Sequence, residues 1–227
     1  QALDSRTGVR ERITARYTGM MYLKFRDRDP NTSGRNATYR VAVMRHGSTP
    51  IVGAAVIVGG KRFNSDSLQT NISYVAGSIY LALQQHGYSN DRIRYLSTDP
   101  AVPGYDAPST LNNLHNAISQ WALDKVDSEH PLTLYLVDHG SNEVFYLDYP
   151  NEILTPSVLD SWLTELENAR PGLKSNIFIE ACNSGSFISG PGTVSKAGRV
   201  IATSTSASYN AYASLNGAIF SDANVVA

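Results

Sequence analysis

The sequence predicts an α/β protein with a mainly parallel sheet flanked by helices on both faces, preceded by a small N-terminal β appendage. From Ile51 onward, apolar runs alternate with helix-length amphipathic segments, as in a sheet whose strands are covered on both sides. Residues 1–50 differ: Tyr17 to Phe25 and Thr38 to Val43 alternate like short strands around the turn-rich Asp27 to Arg35. A length of 227 residues suits one substantial core with room for an appendage, so residues 1–50 and 51–227 read as separate units.

Each element follows from its local pattern. Ile51 to Val58 is the first apolar run and ends in Gly59-Gly60. Ser67 to Gln85 is a helix, because Leu68, Ile72, Val75, Ile79 and Leu83 recur at helical spacing and Gly87 supplies a left-handed stop. Ile93 to Ser97 is a short strand, followed by a loop containing Pro100, Pro103 and Pro108. Leu111 to Val126 is a helix carrying Leu114, Ile118 and Trp121. Leu132 to Val137 is a strand, and Val144 to Leu147 with Glu152 to Leu154 forms a hairpin. Pro156 opens a helix that runs to Ala169. Asn176 to Ile179 and Arg199 to Ser204 are the next strands, and Ala218 to Phe220 begins a further one.

Composition removes several classes of function. A net charge of -1 offers no field to attract nucleic acid. No apolar run reaches the roughly 18 residues needed to span a bilayer, and the polar N-terminus lacks the apolar stretch of a signal peptide. Gln1 at the start leads us to expect a piece excised from a larger precursor. Cys182 is the only cysteine, which excludes an internal disulfide and a thiolate metal cluster. No cofactor or metal is expected.

The chemistry-bearing residues fall in two similar places. Leu132 to Val137 runs straight into Asp138-His139-Gly140-Ser141, and Asn176 to Ile179 runs into Glu180-Ala181-Cys182-Asn183-Ser184-Gly185-Ser186. Ligand crevices of open α/β sheets lie outside the carboxyl ends of the strands, so neighbouring strands would bring His139 and Cys182 into one crevice. A thiol attacks as its thiolate, and an imidazole titrating near neutrality suits both removal and return of the proton. Backbone N–H groups of Gly140 and Cys182 are candidates for an oxyanion hole. His46-Gly47 and His86-Gly87 share the dipeptide but not the preceding buried strand; His115 and His130 read as surface residues. Ser184 and Ser186 lie outside any Gly-x-Ser-x-Gly elbow and read as loop-shaping.

The segments Asp138-His139-Gly140-Ser141 and Glu180-Ala181-Cys182-Asn183-Ser184-Gly185-Ser186, in this order, closely resemble the signature segments of legumain-like peptidases. They resemble more loosely those of caspases, clostripain and gingipains. The likeness covers Ile51 to the C-terminus, with Ala54 to Gly60 as first strand and Arg199 to Ser204 as the strand after the nucleophile. It implies a caspase-like fold and a cysteine endopeptidase acting on proteins or peptides through a thioester acyl-enzyme. Cys182 would be the nucleophile, His139 the base and Gly140 an oxyanion donor. Export, and activation from a zymogen, are further implications, with which the sequons at Asn31, Asn36 and Asn71 are compatible. Two alternatives are a catalytically silent caspase-type binding module and a peptide ligase variant, the latter because Asp138 matches a legumain residue linked to ligation.

Specificity stays open between two outcomes. The resemblance puts Glu180 in the pocket for the residue before the scissile bond, with Asp222 as a helper and Ser204 at the start of a substrate-binding wall that extends to Tyr212. If Arg62 or Lys61 reaches that pocket, asparagine or aspartate suits it. If neither does, arginine or lysine is preferred. The sequence departs from legumain here, since Lys61-Arg62 lie closer to Gly59-Gly60 than in that family.

Overall fold

The computed structural model describes residues 52–148, 150–190, 192–213 and 217–221, so the proposed appendage over 1–50, its sequons Asn31 and Asn36, and Asp222 lie outside the described residues. Six strands form one sheet: β1 (Ala54–Gly59), β2 (Ile93–Ser97), β3 (Tyr105–Ala107), β4 (Leu132–Val137), β8 (Ser175–Glu180) and β9 (Arg199–Thr203). Their order is β3-β2-β1-β4-β8-β9, and every pairing is parallel. A second, antiparallel sheet joins β5 (Gly140–Ser141), β6 (Val144–Asp148) and β7 (Glu152–Leu154).

Alternation along β1 shows how the two faces are covered. Ala54, Val56 and Val58 join one core with Leu132, Leu134, Leu136, Ile177 and Ile179, whereas Ala55 and Ile57 join another with Tyr95, Tyr135 and Val137. Successive side chains of a strand point to opposite faces, so a strand apolar at every position needs cover on both. On the second face that cover is α1 (Gln69–Gln85), through Ile72, Val75, Ala76 and Ile79. On the first it is α2 (Leu111–Asn116) and α3 (Pro156–Ala169), through Leu114, Leu159, Leu163 and Leu166. Pro156 starts α3, and the Thr155 hydroxyl accepts from the Val158 N–H. Gly87, at φ 94°, ends α1.

Four local expectations change. The helix expected over Leu111 to Val126 stays α-helical only to Asn116, continues as a π-turn over Ala117–Trp121, and then loosens into turns. The proline-containing loop holds β3, whose Tyr105 and Ala107 pair with Tyr95 and Leu96 at the sheet edge. Gly140 and Ser141, read as loop, pair with Phe145 and Val144. Ala218 is not the start of a strand: it makes a single antiparallel bridge to Ala213, and a helical turn begins at Ile219. These segments are too short for periodicity to reveal.

The order of strands positions the site. The chain moves outward from β1 to β2 and β3, then returns to the other side of β1 with β4, so β1 and β4 flank the point where the winding reverses. Beyond the carboxyl ends of such strands a crevice opens. Within the β4 and β8 pairing, Val137 stands opposite Glu180. His139 and Cys182 each follow that pair by two residues, so the two loops leave the sheet side by side.

Candidate active site

His139 and Cys182 line one open cleft with Asp138 and Glu180. The start of α1 supplies Asn71, Ile72 and Val75, and the segment near the C-terminus supplies Ala211, Tyr212 and Ala218. Gly140 explains the close fit of the two loops: a Cβ there would collide with the Cys182 carbonyl oxygen and stand 3.0 Å from the Ala181 Cβ. Only glycine lets the histidine loop lie against the nucleophile's backbone.

The nucleophile loop is held by a dense set of hydrogen bonds. Ala181 donates its N–H to Ser204 Oγ at 3.1 Å, and Ser204 Oγ donates back to the Ala181 carbonyl at 3.1 Å. Asn183 sits in the left-handed region at φ 55°, where asparagine is tolerated better than most residues. Its N–H donates to the Tyr209 carbonyl and its side-chain amide to the Ala207 carbonyl, both at 2.8 Å. Ser186 Oγ donates to the Asn183 carbonyl at 2.7 Å and accepts from the Glu143 N–H at 2.9 Å, tying this loop to the β5 and β6 hairpin. Cys182 itself is half-buried, its Sγ 3.9 Å from the Ala211 carbonyl. Its own N–H has no acceptor among the described residues, so it is available to a substrate oxygen.

The histidine loop is built differently. His139 Nε2 lies 2.9 Å from Asp66 Oδ2, a charge contact outside the angular range of a hydrogen bond. Asp66 is held from behind, since its other oxygen accepts from the Leu68 N–H at 2.8 Å where α1 begins. The ring of Phe63 meets the imidazole edge-on at 5.6 Å. Asp138, 6% exposed, has no hydrogen-bond partner on either carboxylate oxygen. Burial pushes its carboxyl up to about 8, and repulsion from Asp66 and Asp148 adds to this, while the His139 backbone N–H and Arg62 work the other way.

The residues singled out from sequence separate into three groups. Cys182, His139, Glu180 and Asp138 face the cleft. Ser204 does not: it staples Ala181, and the cleft wall is made by Ala211 and Tyr212 farther along. Arg62 packs its guanidinium 4.7 Å from the Phe63 ring centre and 4.8 Å from that of Tyr146, near enough to Asp138 to act on its charge, but neither it nor Lys61 lines the cleft. Glu180 is buried, its Oε2 accepting from the Ser221 N–H at 2.8 Å and the Ser221 hydroxyl at 3.0 Å. Asn71, read as a sequon, turns its amide to the Gly217 carbonyl at 3.2 Å in the cleft wall. Sequence reasoning missed Asp66. Its only signal was an acid just ahead of a helix, a position that capping explains equally well.

The Peptidase C13 family model matches residues 110–225, just over half of the chain, and takes in both His139 and Cys182. The chain belongs to the Peptidase C13 family. This C13 protein is therefore a cysteine peptidase of the legumain family, a hydrolase of protein substrates. Its fold is similar to that of caspase-1 from Spodoptera frugiperda, with a TM-score of 0.54 and 19% identity over 83% of this chain and 75% of that one. No curated protein matches the C13 chain in sequence. Among the described residues, no helix is long and apolar enough to cross a membrane.

Proposed function

We propose that this C13 peptidase is an endopeptidase that cleaves after arginine or lysine through a thioester on Cys182. The observation that carries the specificity is the charge of the cleft: its described lining includes the acid Glu180 and neither lysine nor arginine. Arg62, the cation that would have turned the preference toward asparagine, is occupied between two aromatic rings. Glu180 is held by Ser221 at a depth that suits contact with the end of a long side chain, and the aliphatic walls of Ile72, Val75 and Ala218 suit its stem.

The steps follow from the groups present. With Nε2 turned to Asp66, the imidazole has Nδ1 left to take the thiol proton. The thiolate adds to the peptide carbonyl, whose oxygen is stabilised by the backbone N–H groups of Cys182 and Gly140. The imidazolium returns the proton to the leaving amine as the C–N bond breaks, giving the acyl-enzyme. Water gives its proton to the same imidazole and adds to the thioester; the C–S bond breaks, the acid leaves, and the imidazolium returns its proton to the Cys182 sulfur. Asp66 opposite Nε2 favours the tautomer this requires and stabilises the imidazolium.

The test is cleavage of a peptide library varied at the residue before the scissile bond. Expected is a preference for arginine and lysine over asparagine and aspartate of at least tenfold, about 1.4 kcal/mol, lost entirely in Cys182→Ala. Preference for asparagine would overturn the specificity. Turnover surviving in Cys182→Ala would overturn the nucleophile, and a Cys182 alkylated by iodoacetamide no faster than a free thiol, with peptides left intact, would favour a silent module.

A further inference from the structure

We propose that Asp66, Asp138 and His139 form a site for a divalent cation of the zinc class, and that filling it switches the peptidase off. One ligand atom from each of the three lies within 4.8 Å of the other two. Asp66 Oδ2, both oxygens of Asp138 and His139 Nε2 are all buried and without a hydrogen-bond partner. Buried polar atoms are nearly always paired, and here Asp66 and His139 face each other at 2.9 Å while the Asp138 carboxyl beside them accepts no hydrogen bond, a cluster that a cation would satisfy. Asp138 is the decisive member, because it is buried in the cleft wall beside a glycine, Gly60, with neither carboxylate oxygen in a hydrogen bond of good geometry.

The donor set selects the ion. Calcium takes six to eight oxygens, and magnesium keeps most of its water, so neither is served by two carboxylates and an imidazole. Zinc accepts mixed nitrogen and oxygen ligands at about 2.0 to 2.2 Å in a tetrahedron, with water in the fourth position. Two ligand atoms of such a tetrahedron stand about 3.4 Å apart, so a pair separated by as much as 4.8 Å must close by up to about 1.4 Å. One of the three, Asp66, is already braced by the start of α1.

Inhibition follows from the tautomer. As a base, His139 needs a free lone pair on the nitrogen facing the thiol and a proton on the nitrogen facing Asp66. A metal on Nε2 takes the lone pair there and leaves the proton on the other nitrogen. The imidazole then has nothing with which to accept the Cys182 proton. The metal would thus act on the base and leave the sulfur unligated.

Metal binding is tested first in the full 227-residue chain carrying Cys182→Ala, which removes the thiol as a ligand and makes the measurement independent of peptidase activity. Calorimetric titration with Zn²⁺, and Co²⁺ absorption in the visible, are expected to show one tight equivalent. Adding either Asp66→Asn or Asp138→Asn should weaken it by at least tenfold. Thermal unfolding with chelator present shows that each variant is folded, and Zn²⁺ should raise the midpoint of the Cys182→Ala protein more than that of either aspartate variant. Equal affinity in all three proteins would place the ion at the exposed pairs Asp127–His130 or His115–Glu165 and overturn the proposal, as would absence of binding. Loss of binding on Cys182→Ala alone would assign the ion to the thiol and overturn it equally. The second arm, which rests on the peptidase reading, is loss of turnover with Zn²⁺ and its return with chelator. Tight binding in Cys182→Ala together with no turnover in the metal-free parent would sink the peptidase reading and leave the site standing.

Discussion

The two loops that meet in the cleft are built on opposite principles. Around Cys182, Ala181, Asn183, Ser184, Ser186 and Ser204 satisfy one another and the neighbouring backbone with hydrogen bonds. Around His139, one oxygen of Asp66 and both of the buried Asp138 accept no hydrogen bond. A nucleophile has to be held at one place and angle, and a satisfied network does that at no electrostatic cost. A base has to change charge during each turnover, and the Asp66 oxygen facing Nε2, which accepts no other hydrogen bond, responds to that change most strongly. One loop stores geometry; the other stores electrostatic potential.

Substitutions in the two loops should therefore fail in different ways. The largest effect is expected for Asp66→Asn, which keeps the shape but removes the charge facing Nε2. We expect kcat to fall by roughly 10²-fold or more with little change in KM. A loss confined to KM would mean that Asp66 contacts substrate instead of steering the base. Next in size is Ser204→Ala, which strands the buried Ala181 N–H. Denaturant unfolding should report a loss of about 1–3 kcal/mol, and a stability unchanged from the parent would show the network to be dispensable.

The smallest effect concerns pH. The Asp138 carboxyl titrates at about 8 in the folded chain against 3.8 for the unperturbed group, with burial as the main cause. The folded state then holds a proton that the unfolded state has released. Stability should fall as pH rises through the window from about 4 to about 8, and level off above it. Asp138→Asn should flatten that slope when unfolding is followed across the window with chelator present. Parallel slopes in parent and variant would show that the carboxyl is paired when folded.

Much of this was legible in one sequence. Four strands of the parallel sheet and α3 are within one residue of the expected ranges, because apolar runs covered on both faces, and a proline preceded by a capping threonine, leave little choice. Cys182 and His139 were legible because each ends such a run in a glycine-containing loop. The edge strand β3, the two-residue β5 and the helical turn at Ile219 were not, since their pairing depends on neighbours distant in the chain.

The sequence alone determined the sheet with its covering helices, and the two residues on which the chemistry turns, since these depend on periodicity and on what directly follows a strand. Tertiary structure alone decided what surrounds them. It set Asp66 against His139 across 73 positions of sequence, withdrew Arg62 between two aromatic rings, made Ser204 a staple, and tied Glu180 to Ser221. Distance and burial set those interactions, and neither is written in the spacing of residues along a chain.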